Sequence, residues 1–185
     1  MVFSVGTPNS DFLTGTAGND TILALAGNDT VLGQEGNDQL FGFENNDILY
    51  GGRGNDTLRG GQDNDQLYGG QDNDQLYGDK GNDTVSGDAG TDTIYGLDDN
   101  DLLFGGQQND VVFGNRGNDT IRGGKDNDLL RGGQDNDQLY GDLGNDSLYG
   151  DLDNDFLFGS DGNDLLSGNQ GNDSINGNMG NDTAY

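Results

Sequence analysis

The chain has 185 residues, with 34 aspartates and glutamates against seven lysines and arginines, a net charge of −27, and neither histidine nor cysteine. The missing residues exclude a Ser-His-Asp triad, a thiol nucleophile and the usual ligands of zinc or copper, so no enzyme activity is predicted. The acidity argues against a nucleic-acid partner, and no segment approaches the ~20 apolar residues of a membrane span.

The chain begins with a short extension, residues 1–5, that has no basic segment and too short an apolar run for a secretory signal. Residues 6–185 then divide into twenty consecutive blocks of nine residues, which we interpret as a single domain of repeats. A typical block is 51–59, GGRGNDTLR, whose positions we number one to nine. Position one is glycine in 19 blocks, position six is aspartate in all 20, and position eight is aliphatic in all 20.

Each block predicts a turn followed by a short strand. Positions one to six are polar and glycine-rich, whereas positions seven to nine predict a three-residue strand whose middle side chain points inward. Position four is mostly Gly, Asp or Asn, which predicts a left-handed backbone there. At position two, Leu25, Phe43 and Leu97 are poor turn residues, and we expect them to weaken any binding site that their own blocks form.

No spacing of apolar residues favours a helix, and one inward side chain per nine residues cannot fill a conventional sandwich. Two blocks can instead form one 18-residue coil with two strands facing each other. The predicted fold is therefore all-β: a parallel β-roll (β-solenoid) of about ten coils, with odd and even blocks on opposite faces.

Stacking of the coils would bring the position-six aspartates into two files. One file contains Asp11, Asp29, Asp47, Asp65, Asp83, Asp101, Asp119, Asp137, Asp155 and Asp173; the other contains Asp20, Asp38, Asp56, Asp74, Asp92, Asp110, Asp128, Asp146, Asp164 and Asp182. Carboxylates in stacked coils would lie roughly 5 Å apart and repel by ~3 kcal/mol at an effective dielectric of about 20. Local Asx-turns would leave this charge uncompensated, so the sequence predicts a cation between the coils.

Carboxylates and flexible backbone carbonyls are the oxygen ligands that calcium accepts, whereas magnesium prefers small rigid octahedra. Six blocks carry a second aspartate at position four, and two interpretations of it remain. These residues either tolerate the left-handed turn or add a second carboxylate to the ion. They are Asp63, Asp72, Asp99, Asp126, Asp135 and Asp153.

The block resembles the G-G-x-G-x-D-x-U-x nonapeptide of the RTX (repeats-in-toxin, haemolysin-type) calcium-binding proteins of bacteria, and the resemblance covers residues 6–185. It implies a β-roll in which all twenty position-six aspartates bind Ca²⁺ between turns one coil apart, with at most about 18 ions. It also implies calcium-dependent folding, a non-catalytic role in a secreted or surface structural protein, and export by a type I route. No export signal is seen in this chain.

Two further interpretations concern the outer surface. Tyrosines and phenylalanines recur at position nine, where they would form cross-strand ladders or contribute to a partner or side-by-side self-association surface. Neither end is visibly capped, and the last inward residue is the small Ala184, so end-to-end self-association is also expected. The alternative function is an ice- or surface-binding (adhesin-type) solenoid, because Asn occupies position five in 18 blocks. Against it, position three never holds the Thr that a Thr-x-Asn array needs.

Overall fold

A computed structural model describes residues 2–185 as a parallel β-solenoid of about ten coils, with 18 residues per coil and no helix in that range. The predicted fold class is confirmed. Two parallel sheets face each other, and strands alternate between them along the chain. No helix in the described residues is long and apolar enough to cross a membrane.

The first sheet, which we call the odd sheet, has 11 strands. They are β1 (Phe3–Val5), β3 (Thr21–Ala26), β5 (Gln39–Glu44), β7 (Thr57–Gln62), β9 (Gln75–Lys80), β11 (Thr93–Asp98), β13 (Val111–Arg116), β15 (Leu129–Gln134), β17 (Ser147–Leu152), β19 (Leu165–Gln170) and β21 (Thr183–Ala184).

The second sheet, the even sheet, has 10 strands. They are β2 (Phe12–Thr14), β4 (Thr30–Glu35), β6 (Ile48–Arg53), β8 (Gln66–Gln71), β10 (Thr84–Ala89), β12 (Leu102–Gln107), β14 (Thr120–Lys125), β16 (Gln138–Leu143), β18 (Phe156–Asp161) and β20 (Ser174–Met179).

Neighbouring strands of a sheet pair residues that are one full coil apart in sequence. In the odd sheet, for example, Ile94 lies opposite Leu76 on one side and Val112 on the other. Because each position therefore stacks on the same position of the next coil, every feature of the block becomes a file along the rod. The N-terminal extension joins this pattern, since Ser4 of β1 lies opposite Ile22 of β3.

The strands are longer than the sequence predicted. Most contain six residues, from position seven of one block to position three of the next, as in β7 from Thr57 to Gln62. The prediction of a three-residue strand and a six-residue turn is wrong, because the glycine-rich positions pair with the next coil instead of bending away. In addition to positions seven to nine, positions two and three pair with the same positions of the next coil, as Gly61 does with Asp79. The turn is confined to positions four to six.

The core is a double file of position-eight side chains, one from each sheet. Those from Ile22 to Leu166 are completely buried, Leu13 and Ile175 pack partly against them, and Ala184 is exposed. Position one also faces inward: Ala24 is fully buried there, and the remaining 19 blocks all have glycine at this position. The narrow interior thus receives one aliphatic side chain per block, as predicted.

Candidate metal centre

Each position-six aspartate lies at the end of its turn, immediately before a strand, and points into the roll. From Asp20 to Asp164 these side chains are at most 3% exposed. The stacked coils bring them into the two predicted files, although the role of these residues as metal ligands is a proposal, developed below. Burial of so many carboxylates is costly unless each finds a partner.

One carboxylate oxygen of each interior aspartate has a regular partner. Oδ1 accepts a hydrogen bond from the backbone N–H of the aspartate one coil earlier, as from Asp38 to Asp56 at 2.7 Å and from Asp101 to Asp119 at 2.8 Å. Each aspartate is therefore tied to a different coil and does not form a local Asx-turn. This hydrogen bond fixes the direction of the carboxylate along the file.

The other carboxylate oxygen has no partner in sixteen aspartates. Oδ2 is fully buried without a hydrogen bond in Asp29, Asp38, Asp47, Asp56, Asp65, Asp74, Asp83, Asp92, Asp101, Asp110, Asp119, Asp128, Asp137, Asp146, Asp155 and Asp164. An unsatisfied buried acceptor costs about 1–3 kcal/mol, and more when it is charged. A cation or a proton at each Oδ2 would remove that cost.

A second oxygen borders the same space. A Cβ added to Gly105 would lie 2.5 Å from the carbonyl oxygen of Gly123, one coil further along, and 2.6 Å from Oδ2 of Asp110. The same clash, with the aspartate of its own block and the backbone of the next coil, recurs at Gly51 and Gly87. Glycine at position one therefore keeps open a space bordered by a carboxylate and a carbonyl oxygen, which suits a hard cation.

The raised pKa values of the buried aspartates reflect the same electrostatic cost. Burial raises the pKa of Asp65 and of Asp101 to about 8, partly offset by the backbone hydrogen bond that each accepts and increased again by neighbouring aspartates. The pKa of Asp92 rises to about 6, again mainly because of burial. Without a bound cation, ionisation of the buried aspartates is unfavourable, so these residues fit a site that binds a cation.

The first two blocks differ from the rest. Oδ2 of Asp11 accepts hydrogen bonds from the amide and hydroxyl of Thr7, and Oδ2 of Asp20 accepts them from Thr16, at 2.5–2.9 Å. Burial pushes the pKa of Asp20 upward, but these bonds and that from the Val2 amide outweigh it, so the pKa is lowered. Local hydrogen bonds thus satisfy these two carboxylates. This is the local alternative to a bound cation that was weighed above for all twenty aspartates.

The position-four aspartates fit the simpler of their two interpretations. All six have positive φ, between 72° and 82°, and all are exposed. Within residues 2–185, no group of three or more acidic side chains comes together in a way that could hold a metal ion. A cation in this roll would therefore rely on backbone carbonyls as well as on the position-six carboxylates.

The predicted left-handed backbone at position four is confirmed in every block from the third onward, but the sequence analysis missed the same conformation at position two. Position two has positive φ in the same 18 blocks, including Leu25, Phe43 and Leu97. The six glycines, four aspartates and three asparagines found there were the available signal.

A known protein family matches nearly the whole chain. The family model described as "RTX calcium-binding nonapeptide repeat (4 copies)" matches residues 5–40, 41–76, 77–112, 113–148 and 149–184. Five consecutive matches of four copies account for all twenty blocks. No curated protein matches the chain.

Proposed function

The chain belongs to the RTX calcium-binding nonapeptide repeat family, and from this premise we propose that it is a calcium-dependent folding module in which the two aspartate files bind the ions. The family is a structural, calcium-binding one. The finer proposal concerns which atoms bind and what binding does to the chain.

The observation that carries the proposal is the set of sixteen buried Oδ2 atoms without a hydrogen-bond donor. We propose that Ca²⁺ is held by position-six carboxylates together with carbonyl oxygens such as that of Gly123, which borders the same space beside Gly105 as Oδ2 of Asp110. A bound Ca²⁺ supplies the positive charge that the files lack. The interior aspartates are the strongest candidates, because the Oδ2 atoms of Asp11 and Asp20 already accept hydrogen bonds.

In the folded roll, hydrogen bonds between neighbouring coils orient the binding atoms. The amide of each aspartate donates a hydrogen bond to Oδ1 of the aspartate in the following coil, as from Asp65 to Asp83 at 2.8 Å. This bond directs Oδ2 toward the position-one glycine of its own block. The carbonyl of each aspartate also accepts a hydrogen bond from position seven of the following coil, as Asp56 does from Gln75 at 2.9 Å. Folding of the coils and assembly of the sites are therefore the same event.

We further propose that the module is non-catalytic and serves a secreted or surface structural protein. The family is typical of secreted bacterial proteins. A medium rich in calcium outside the cell would then favour the folded roll, while the calcium-poor cytosol would leave the chain unfolded.

Circular dichroism of the full chain tests the proposal. At pH 7.5 in chelator we expect the spectrum of an unfolded chain, and in millimolar Ca²⁺ a cooperative gain of β-structure. Mg²⁺ at the same concentration and sodium chloride at the same ionic strength are the controls for general charge screening, and both should have much weaker effects. A chain that is fully β-structured in chelator and unchanged by calcium would refute the proposal.

A further inference from the structure

One exposed aromatic side chain stands on a strained backbone. Phe43 occupies position two with φ of 84°, and its side chain is 42% exposed. A left-handed conformation costs a residue with a Cβ roughly 1–2 kcal/mol, and glycine occupies this position in six blocks. The ring of Phe43 stacks on that of Phe41, with 5.9 Å between the centroids, but such a contact contributes only about 0.5–1.5 kcal/mol and does not exceed the strain. Stability alone therefore does not explain an exposed, bulky apolar residue at this position.

The strained apolar residues are confined to one surface. Leu25, Phe43 and Leu97 all have φ between 84° and 90°, and all lie on the odd sheet. The even sheet has Thr, Gln, Ser, Asp, Asn or Gly at position two and no bulky apolar residue. This asymmetry distinguishes one face of an otherwise uniform rod.

A groove lies beside Phe43 on this face. Phe43 pairs with Gly61 of the next coil, which has no side chain to cover it, and Gly61 in turn pairs with Asp79. Two adjoining cavities of about 370 and 570 Å³ share these three residues. Such volumes are in the range of small-molecule sites, and the larger one continues along the rod past Leu97.

Most of the other residues that line the groove are polar, and two arginines among them are paired with aspartates. Arg59 Nε lies 2.8 Å from Asp79 Oδ2, and the guanidinium also lies over the ring of Tyr77, 5.2 Å from its centroid. Further along, Arg116 pairs with Asp98 at 3.3 Å. Lys80 also lines the larger cavity, so the two linings together hold three cationic and two anionic side chains. The pairs offer hydrogen-bond donors and acceptors in fixed positions, and the net charge of only one favours a neutral polar ligand over a highly charged one.

We infer that this groove binds a neutral oligosaccharide, with one pyranose ring against Phe43 beside Gly61 and its hydroxyl groups toward Arg59 and Asp79. A pyranose has an apolar C–H surface and a rim of hydroxyl groups, which match an aromatic side chain facing a paired arginine and aspartate. The groove runs along the rod, so a linear chain of sugars could extend from Phe43 toward Leu97.

The test uses the calcium-saturated full chain with neutral hexasaccharides of glucose, mannose, galactose and N-acetylglucosamine. We expect saturation-transfer NMR to show contact with the ring C–H protons of at least one of them. Titration calorimetry should then give a dissociation constant about tenfold or more higher for Phe43→Gly. Because glycine suits positive φ, this variant should unfold at the same or a higher temperature than the wild type.

The matched control is Phe12→Thr, which removes a 69% exposed phenylalanine from the even sheet at a position where threonine is common. It should leave sugar binding unchanged. Failure of all four sugars to bind, or equal binding by Phe43→Gly, would overturn the inference. Self-association abolished by Phe43→Gly would do so too, because the occupant would then be a second copy. Calcium binding is measured separately and does not depend on any of these outcomes.

Discussion

Asp101 illustrates, at the scale of one residue, how a single side chain links two coils. Its amide donates to Oδ1 of Asp119, its own Oδ1 accepts from the amide of Asp83, and its Oδ2 is buried without a donor. Close to it in sequence, Asp99 has the same chemistry but an exposed side chain and a φ of 82°. The backbone position, and not the residue type, decides which carboxylate faces the interior.

This pair provides a matched test of the metal site. Asp101→Asn keeps an oxygen for the Asp83 amide but removes the buried charge, so we expect the chain to bind up to about two fewer calcium ions in calorimetry, one on each side of the coil. In chelator near pH 5, where we expect the metal-free roll to form, this variant should be more stable by on the order of 1–2 kcal/mol in thermal unfolding, because burial raises the pKa of Asp101 to about 8 and asparagine has no charge to neutralise.

Asp99→Asn is the control and should change neither calcium stoichiometry nor metal-free stability appreciably, since asparagine also tolerates positive φ. Equal loss of calcium in the two variants would instead assign position-four carboxylates to the ions.

At the scale of the strand, three arginines brace successive coils on the outer surfaces. Arg59, Arg122 and Arg131 occupy position nine, and each lies over a tyrosine of the next coil and pairs with an aspartate of that same neighbouring strand. The partners form the same tripeptide each time, Tyr-Gly-Asp at 77–79, 140–142 and 149–151. Arg122 and Arg131 each bond both carboxylate oxygens, at 2.7–3.0 Å.

These braces need no metal, so their contribution should persist in saturating calcium. For Arg122→Ala and Arg131→Ala combined, we expect a loss of about 2–4 kcal/mol, since each substitution removes an exposed ion pair and a cation–π contact that contribute roughly 0.5–1 kcal/mol apiece. The hydrogen bonds to Asp142 raise the pKa of Arg122, in the direction of a real stabilisation of its charge. Thermal unfolding in calcium would measure the loss.

Arg53→Ala is the comparison for this prediction, because Arg53 makes only a 3.8 Å ion pair with Glu35 and both side chains are highly exposed. It should have almost no effect on the unfolding temperature. A double variant no less stable than Arg53→Ala would show that the braces do not stabilise the strands.

At the scale of the whole molecule, the net charge of −27 and the buried files make stability depend on pH in opposite directions with and without calcium. Burial raises the pKa of Asp65 and Asp74 to about 8 and of Asp155 to about 6. Since these values exceed the ordinary 3.8, the metal-free roll is favoured when the aspartates are protonated, and loses stability as the pH rises through about 6–8.

We therefore expect β-structure in chelator to increase when the pH falls from 8 to about 5, a limit kept above the isoelectric point of about 4.1. In calcium the trend should reverse, with a higher calcium concentration needed at pH 5 than at pH 7.5, because protons compete for the same carboxylates. Circular dichroism at each pH measures both. A metal-free chain most structured at pH 8 would contradict the assignment of charge repulsion to the files.

The sequence alone determined how the blocks stack, because this depends only on the period. The two-block coil, the two sheets, the inward position-eight side chains and the two files of aspartates all follow from a block repeated twenty times in phase. The left-handed turn at position four could also be predicted, because glycine, asparagine and aspartate share one local preference.

Only the tertiary structure decided which groups meet between coils. Within one block, Gly105 looks like a turn residue, yet its place is set by a carbonyl of the next coil and by the carboxylate of Asp110. Likewise Phe43 appeared only to be a poor turn residue, whereas its pairing with Gly61 opens a groove. The physical reason is that local preferences act over a short stretch of chain, while packing is decided between residues one coil apart in sequence that lie side by side in the sheet.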